Sequence, residues 1–150
     1  LYVSFICIFT VLPVLPVNMS LSLSLCCSYR YAEQEKVGAI LLVSACHSDL
    51  GDEGERRSGY YPSRPGCLED TEDGSGLNPW EFAAMRENCP IFFQFHSDND
   101  PFIPLEGEAL RVREGLGLTA GEDFFLLLGR SHFFDAPFPE LLQLVDRLTA

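Results

Sequence analysis

Two short aromatic-rich runs, Ile91-Phe-Phe-Gln-Phe95 and Phe124-Phe-Leu-Leu-Leu128, each open into a polar loop carrying a group able to hold or move a proton. Asp100 follows the first and His132 the second. Apolar runs of this length, bounded by Pro, Gly, Asn and Asp, read as buried strands. The interval from Asp100 to His132 is what one helix and one strand with their turns consume. Strands joined through a helix must run parallel, so this order of strand, acid, helix, strand and histidine predicts an α/β fold with a parallel sheet.

The rest of the chain fits that frame. Val37-Gly-Ala-Ile-Leu-Leu-Val-Ser-Ala45 is a continuous apolar run, as a strand covered on both faces requires. Parallel strands are expected over Gly38 to Ser44, Ile91 to Phe95 and Phe124 to Leu128. Helices are expected over Pro79 to Glu87, with Asn78 as N-cap and Pro79 at the first position, over Leu105 to Leu116 despite Gly107, and over Pro139 to Leu148. In the last helix Leu141, Leu142, Val145 and Leu148 would form the apolar face. Residues 62–78, dense in Pro, Gly, Glu and Asp, read as a loop excursion, and Glu69-Asp-Thr-Glu-Asp73 within them as a solvated acidic stretch.

Residues 1–29 are of another kind. They carry no charge, and the apolar run through Val17 is interrupted by Pro13 and Pro16, which argues against a membrane-spanning helix. No basic region or small-residue cleavage site marks a signal peptide. The run Leu-Ser-Leu-Ser-Leu-Cys-Cys-Ser28 is what a translated pyrimidine tract would give, so a gene-model or splicing artefact is the expectation for this segment. The readable domain then spans residues 30–150.

The net charge of −12 falls wholly on that domain and disfavours binding to a phosphate backbone, so no nucleic-acid partner is expected. The six cysteines show no Cys-x-x-Cys and no zinc-type spacing with histidine. No metal is expected. Cys46 and Cys89, at strand boundaries, read as reduced apolar fillers, and a cytoplasmic location fits that usage. His47 and His96 read as loop or strand-end residues, with a metal pair of His96 with Asp98 or Asp100 a remote idea, and Trp80 with Phe82 as an apolar helix face.

Tyr31-Ala-Glu33, Ala39-Ile-Leu-Leu-Val-Ser-Ala45, Ser48-Asp-Leu-Gly-Asp-Glu53, Glu55-Arg56, Ser58-Gly-Tyr60, Asn88-Cys-Pro90, Gln94-Phe95, Asp100-Pro-Phe102 and His132-Phe133 together carry a more specific signal. They resemble the retinoblastoma-binding protein nine family of small serine hydrolases, in the α/β-hydrolase superfamily. The resemblance implies the C-terminal part of an α/β-hydrolase, a three-layer sandwich with a parallel sheet. It also implies a cofactor-free esterase or amidase acting on a small ester or amide, with a protein partner as a further implication. Asp100 would be the triad acid and His132 the general base. Without the resemblance, Asp100 before Pro101 is better read as a turn-initiating residue, and His132 can be read as a surface loop histidine.

What the sequence does not hold is the nucleophile. No Gly-x-Ser-x-Gly occurs, and the excursion at residues 62–78 is longer than the family's loop. The family's Gly-His-Ser-Ser-Gly elbow would fall at Ser20-Leu-Ser-Leu-Ser24, putting Ser22 at the nucleophile's position by counting. Its neighbours Leu21 and Leu23 are too large for a strained strand-to-helix elbow. The expectation is therefore the second half of a serine hydrolase, inactive as this chain. The alternative is a non-enzymatic, hydrolase-like domain that binds a protein partner.

Overall fold

In the computed structural model the described residues are 25–53, 57, 80–134 and 137–149. The excursion at residues 62–78, the Asn78 cap with Pro79, and Ser22 lie outside them. The apolar run after Lys36 forms β1 (Ile40–Val43), and the two aromatic runs form β2 (Phe92–Ser97) and β3 (Phe124–Leu127). Both pairings are parallel, in the order β1-β2-β3. Ile40 aligns with Phe92, and Gln94 with Phe124. Parallel order follows from the helices that occupy each connection.

Successive side chains of a strand point to opposite faces. Ile40, Leu42, Phe92 and Phe124 thus enter one apolar cluster, and Leu41, Val43 and Phe95 another. The first cluster is completed by Tyr29 and Ala32 of α1 (Leu25–Gln34), Phe82 and Met85 of α2 (Phe82–Asn88), and Val112 and Leu116 of α3 (Leu110–Leu116). The second is completed by Leu141, Leu144, Val145 and Leu148 of α4 (Pro139–Thr149). All four residues of β1 are buried. Each such aliphatic side chain withdrawn from water contributes about 1.5–3 kcal/mol.

Several local details differ from the sequence expectations. The helix before β1, for which no span was expected, runs from Leu25 to Gln34, and Tyr29 on it is wholly buried, its ring 4.9 Å from Trp80. Helix α2 begins at Phe82, with Glu81 in the cap position and no side-chain cap bond. On α4 it is Leu144 that faces inward, while Leu142 is 60% exposed, because 141, 144, 145 and 148 keep the helical spacing of three and four.

Helix α3 is preceded by a π-helical turn, Leu105–Ala109, where the amides of Glu108 and Ala109 both donate to the Pro104 carbonyl. The widened turn contains Gly107, and the Glu108 side chain is buried. At its other end α3 closes on Gly117 at φ +68, with Gly117 N donating to Glu114 O and Leu118 N to Arg113 O. Gly117 is the natural residue for this left-handed closure. Gly115 has a different reason: a Cβ there would come within 2.0 Å of the Phe82 ring, so its missing side chain sets the approach of α3 to α2.

Candidate active site

The loops leaving β2 and β3 emerge at the same, C-terminal edge of the sheet, where open parallel sheets place their ligands. Asp100 lies on the first. Its Oδ1 accepts the amides of Phe102 at 2.9 Å and Ile103 at 3.0 Å, a turn shaped by its own side chain. The same carboxylate meets the imidazole of His132 on the second loop, with Nδ1 2.8 Å from Oδ2 and 3.0 Å from Oδ1. Turn-forming residue and histidine partner are thus one and the same side chain. A third group arrives from the end of β1, where the Ser44 hydroxyl donates to Oδ2 at 2.7 Å.

The pair is shielded from solvent, with side-chain exposures of 3% for His132 and 1% for Asp100. Burial by itself raises a carboxyl pKa. Here the hydrogen bonds from His132, from the Phe102 and Ile103 amides and from Ser44 outweigh it and hold Asp100 down to about 2. The carboxylate is therefore charged at neutral pH. Such an acceptor at Nδ1 selects the tautomer with its proton on that nitrogen, which leaves Nε2 as the ring nitrogen able to accept a proton.

The position of His132 is fixed by side chains at the exit of β2. Three successive amides of the β3 loop donate to them: Gly129 N to Asp98 Oδ1 at 2.7 Å, Arg130 N to Ser97 Oγ at 3.0 Å, and Ser131 N to Asn99 Oδ1 at 2.9 Å. Ser97 Oγ also donates to Asn99 Oδ1 at 2.8 Å, which orients the acceptor. Beyond the loop the Arg130 guanidinium bonds Glu140 on α4 at 3.0 Å and lies 5.3 Å from the centre of the Phe138 ring.

Backbone strain gathers here. Ser44, Ser131 and Phe133 adopt positive φ of 48°, 52° and 56°, a region that non-glycine residues enter at a cost of order 1 kcal/mol or more. Two aromatic rings flank the imidazole. Phe102 is 5.2 Å from His132 and Phe134 5.0 Å, and both are partly exposed, at 40% and 55%.

Around the pair, two further buried polar groups were not legible as such in the sequence. Glu108, on the π-helical turn, accepts the amides of His47 and Ser48 and the Ser48 hydroxyl, and so pins the loop that follows β1 and Ser44. His47 offers its carbonyl to the Trp80 indole at 2.8 Å. His96 lies within β2 rather than at a loop, and its side chain is fully buried on the face that carries Gln94. Neither ring nitrogen has a hydrogen-bond partner among the described residues. Burial lowers the pKa of His96, while the nearby Asp100 charge opposes that shift and His132 adds to it. The Ile103 backbone also favours the charged form but stands outside hydrogen-bonding geometry. Asp98 is turned to Gly129.

Cys46 and Cys89 are both buried, and neither forms a disulfide among the described residues. Burial pushes the Cys89 thiol up to about 11, so it is protonated and unreactive at neutral pH. The sequence points to Asp100 and His132, which the structure brings together, but not to Ser44, Ser97 or Asn99 beside them. The signal available for them was position alone, hydroxyl and amide side chains at the C-terminal ends of strands.

No protein-family model matches the chain. Among curated proteins it is similar to serine hydrolase RBBP9 of Rattus norvegicus, at 37% identity over 119 residues, 79% of this chain and 53% of the relative. The chain thus spans about half the length of the relative it matches.

Proposed function

We propose that this chain, a relative of the RBBP9-like serine hydrolases, carries the acid and the base of that chemistry, with Asp100 orienting and His132 transferring the proton. The observation that carries the reading is the 2.8 Å contact between His132 Nδ1 and Asp100 Oδ2 in a buried setting at the ligand edge of a parallel sheet. In this role His132 Nε2 takes the proton from a serine hydroxyl as that oxygen attacks an ester or amide carbonyl, and returns it to the leaving group. Asp100 stays ionised and stabilises the imidazolium.

The two apolar clusters, one on each face of the sheet, support the three-layer sandwich of an α/β-hydrolase, with residues 30–150 as its C-terminal part. In this reading residues 1–29 have no counterpart in the family, although Leu25 to Tyr29 belong to α1 and Tyr29 is buried in the core. Phe102 and Phe134, whose rings flank the imidazole, line the substrate's path to His132 in the same reading. No helix among the described residues is long and apolar enough to cross a membrane, and a cytoplasmic location accords with the buried thiols of Cys46 and Cys89.

The 150 residues contain no Gly-x-Ser-x-Gly, and the base has no elbow serine to activate. Removing the serine of a comparable triad costs on the order of a million-fold in rate. The chain by itself is therefore expected to be inactive. Nitrogen-15 NMR of the imidazoles near pH 8 tests the acid–base reading. His132 should be the Nδ1–H tautomer, and Asp100→Asn should abolish that preference. A His132 that is mainly the Nε2–H tautomer in the unaltered chain would refute the pairing.

A further inference from the structure

Ser44 ends β1 in an unusual way. Its amide still donates to the Phe95 carbonyl at 3.0 Å, so the parallel ladder runs through it, yet its φ of +48° turns the chain into the left-handed region. A glycine would adopt this conformation without strain. Serine there brings a hydroxyl, which is 96% withdrawn from solvent with the rest of the residue and donates to Asp100 Oδ2 at 2.7 Å. The loop that follows is itself pinned, because Glu108 accepts the amides of His47 and Ser48.

We propose that Ser44 is a positioning residue of the acid–base pair: its hydroxyl locks the Asp100 carboxylate in the one rotation that serves His132 Nδ1. The inference rests on the reading of Asp100 and His132 as that pair. A carboxylate has two equivalent oxygens and a broad, two-fold torsion. The Phe102 and Ile103 amides hold Oδ1, and Ser44 is the neutral donor that holds Oδ2, leaving the imidazole a fixed target. Ser44 is not the missing nucleophile. Its proton goes to the carboxylate, and it approaches the pair from the side of the acid.

The hydroxyl has a second effect on the same carboxylate, since each donor favours the charged form. Among the donors that hold the Asp100 pKa down, Ser44 is one. Its loss should therefore be legible in the titration of Asp100 and in the exchange of the His132 ring proton, neither of which a purely structural serine would move.

The test compares the unaltered chain with Ser44→Ala, Ser44→Gly and Asp100→Asn. The readouts are the carbon-13 titration of the Asp100 carboxyl and the solvent exchange of the His132 Nδ1 proton. Both Ser44 variants should raise the Asp100 pKa by about one unit and speed exchange about tenfold, the effect of one hydrogen bond to a charged group. Ser44→Gly relieves the backbone strain while deleting the hydroxyl, so it keeps the experiment decisive if Ser44→Ala folds poorly. A Ser44→Gly chain with the original Asp100 titration and ring-proton exchange would overturn the proposal. So would Ser44 variants that lose only thermal stability. If Asp100→Asn leaves the His132 ring proton unchanged, the acid–base pair itself fails. If Asp100→Asn removes that signal and the Ser44 variants do not, the pair stands and Ser44 is excluded.

Discussion

Ser97 and Arg130 are joined across 33 residues of sequence by a 3.0 Å hydrogen bond from the Arg130 amide to the Ser97 hydroxyl. The bond ties the exit of β2 to the loop that carries His132, and the flanking Asp98 and Asn99 side chains repeat the pattern on Gly129 and Ser131. The acid and the histidine therefore sit on one cross-braced platform. They are not two independent loops that happen to meet.

Asn99 is the brace whose loss should be felt most cleanly, because its Oδ1 accepts from both Ser131 N and Ser97 Oγ. Asn99→Ala is expected to cost about 1–2 kcal/mol of unfolding free energy in urea, as one or two hydrogen bonds are lost. It should also broaden or shift the His132 ring resonances. A variant as stable as the original, with unchanged His132 signals, would show the platform to be unimportant.

Gly115 and Gly107 should respond in opposite directions to the same change. Gly115→Ala drives a Cβ to within 2.0 Å of the Phe82 ring and should destabilise by about 1–3 kcal/mol. Gly107→Ala meets no atom within 4 Å and should be neutral or gain up to about 1 kcal/mol. Thermal melts of the two variants side by side check this.

Acid should loosen the fold through Asp100. Its folded pKa of about 2 lies below the ordinary value of 3.8, so its contribution is fully present above that value and disappears as pH falls from about 4 to 2. The amount is of order 2 kcal/mol. Asp100→Asn should lose this part of the pH dependence. It should also be less stable at neutral pH, where the His132, Ser44 and backbone donors would face an amide instead of a carboxylate.

His96 predicts a second pH dependence. Its pKa is lowered in the fold, chiefly by burial, so the unfolded chain takes up a proton that the folded chain refuses once pH drops below about 6.5. Stability should fall with pH from that point. His96→Leu should remove the trend and, by deleting two buried nitrogens that have no partner among the described residues, gain about 1–3 kcal/mol. Unfolding free energies measured from pH 8 to 5 on both chains decide it.

The strands and their parallel order follow from features that sequence writes plainly, apolar runs and helix-length gaps, whereas the meeting of Asp100 with His132 was implied by the family resemblance. Positions that depend on three-dimensional contacts do not. The register shift that puts Leu144 rather than Leu142 against the sheet turns on where α4 docks. The π-helical turn at Leu105–Ala109 and the inward Glu108 depend on amides from a loop about 60 residues away in sequence. Ser44 was read as the end of a strand, and nothing local announces that its hydroxyl would reach Asp100 across 56 residues. Likewise the buried His96 reads as a strand-end residue until the fold shows which face it takes.

The central claim is that this chain holds the acid and the base of a serine hydrolase without a serine for them to activate. It is tested most directly by labelling the purified chain with a fluorophosphonate and by measuring p-nitrophenyl acetate hydrolysis beside Ser22→Ala and His132→Ala. The account predicts no labelling, and hydrolysis at the background rate that is the same for all three chains. Labelling or turnover that is abolished by either substitution would contradict it and show that the chain carries a working nucleophile.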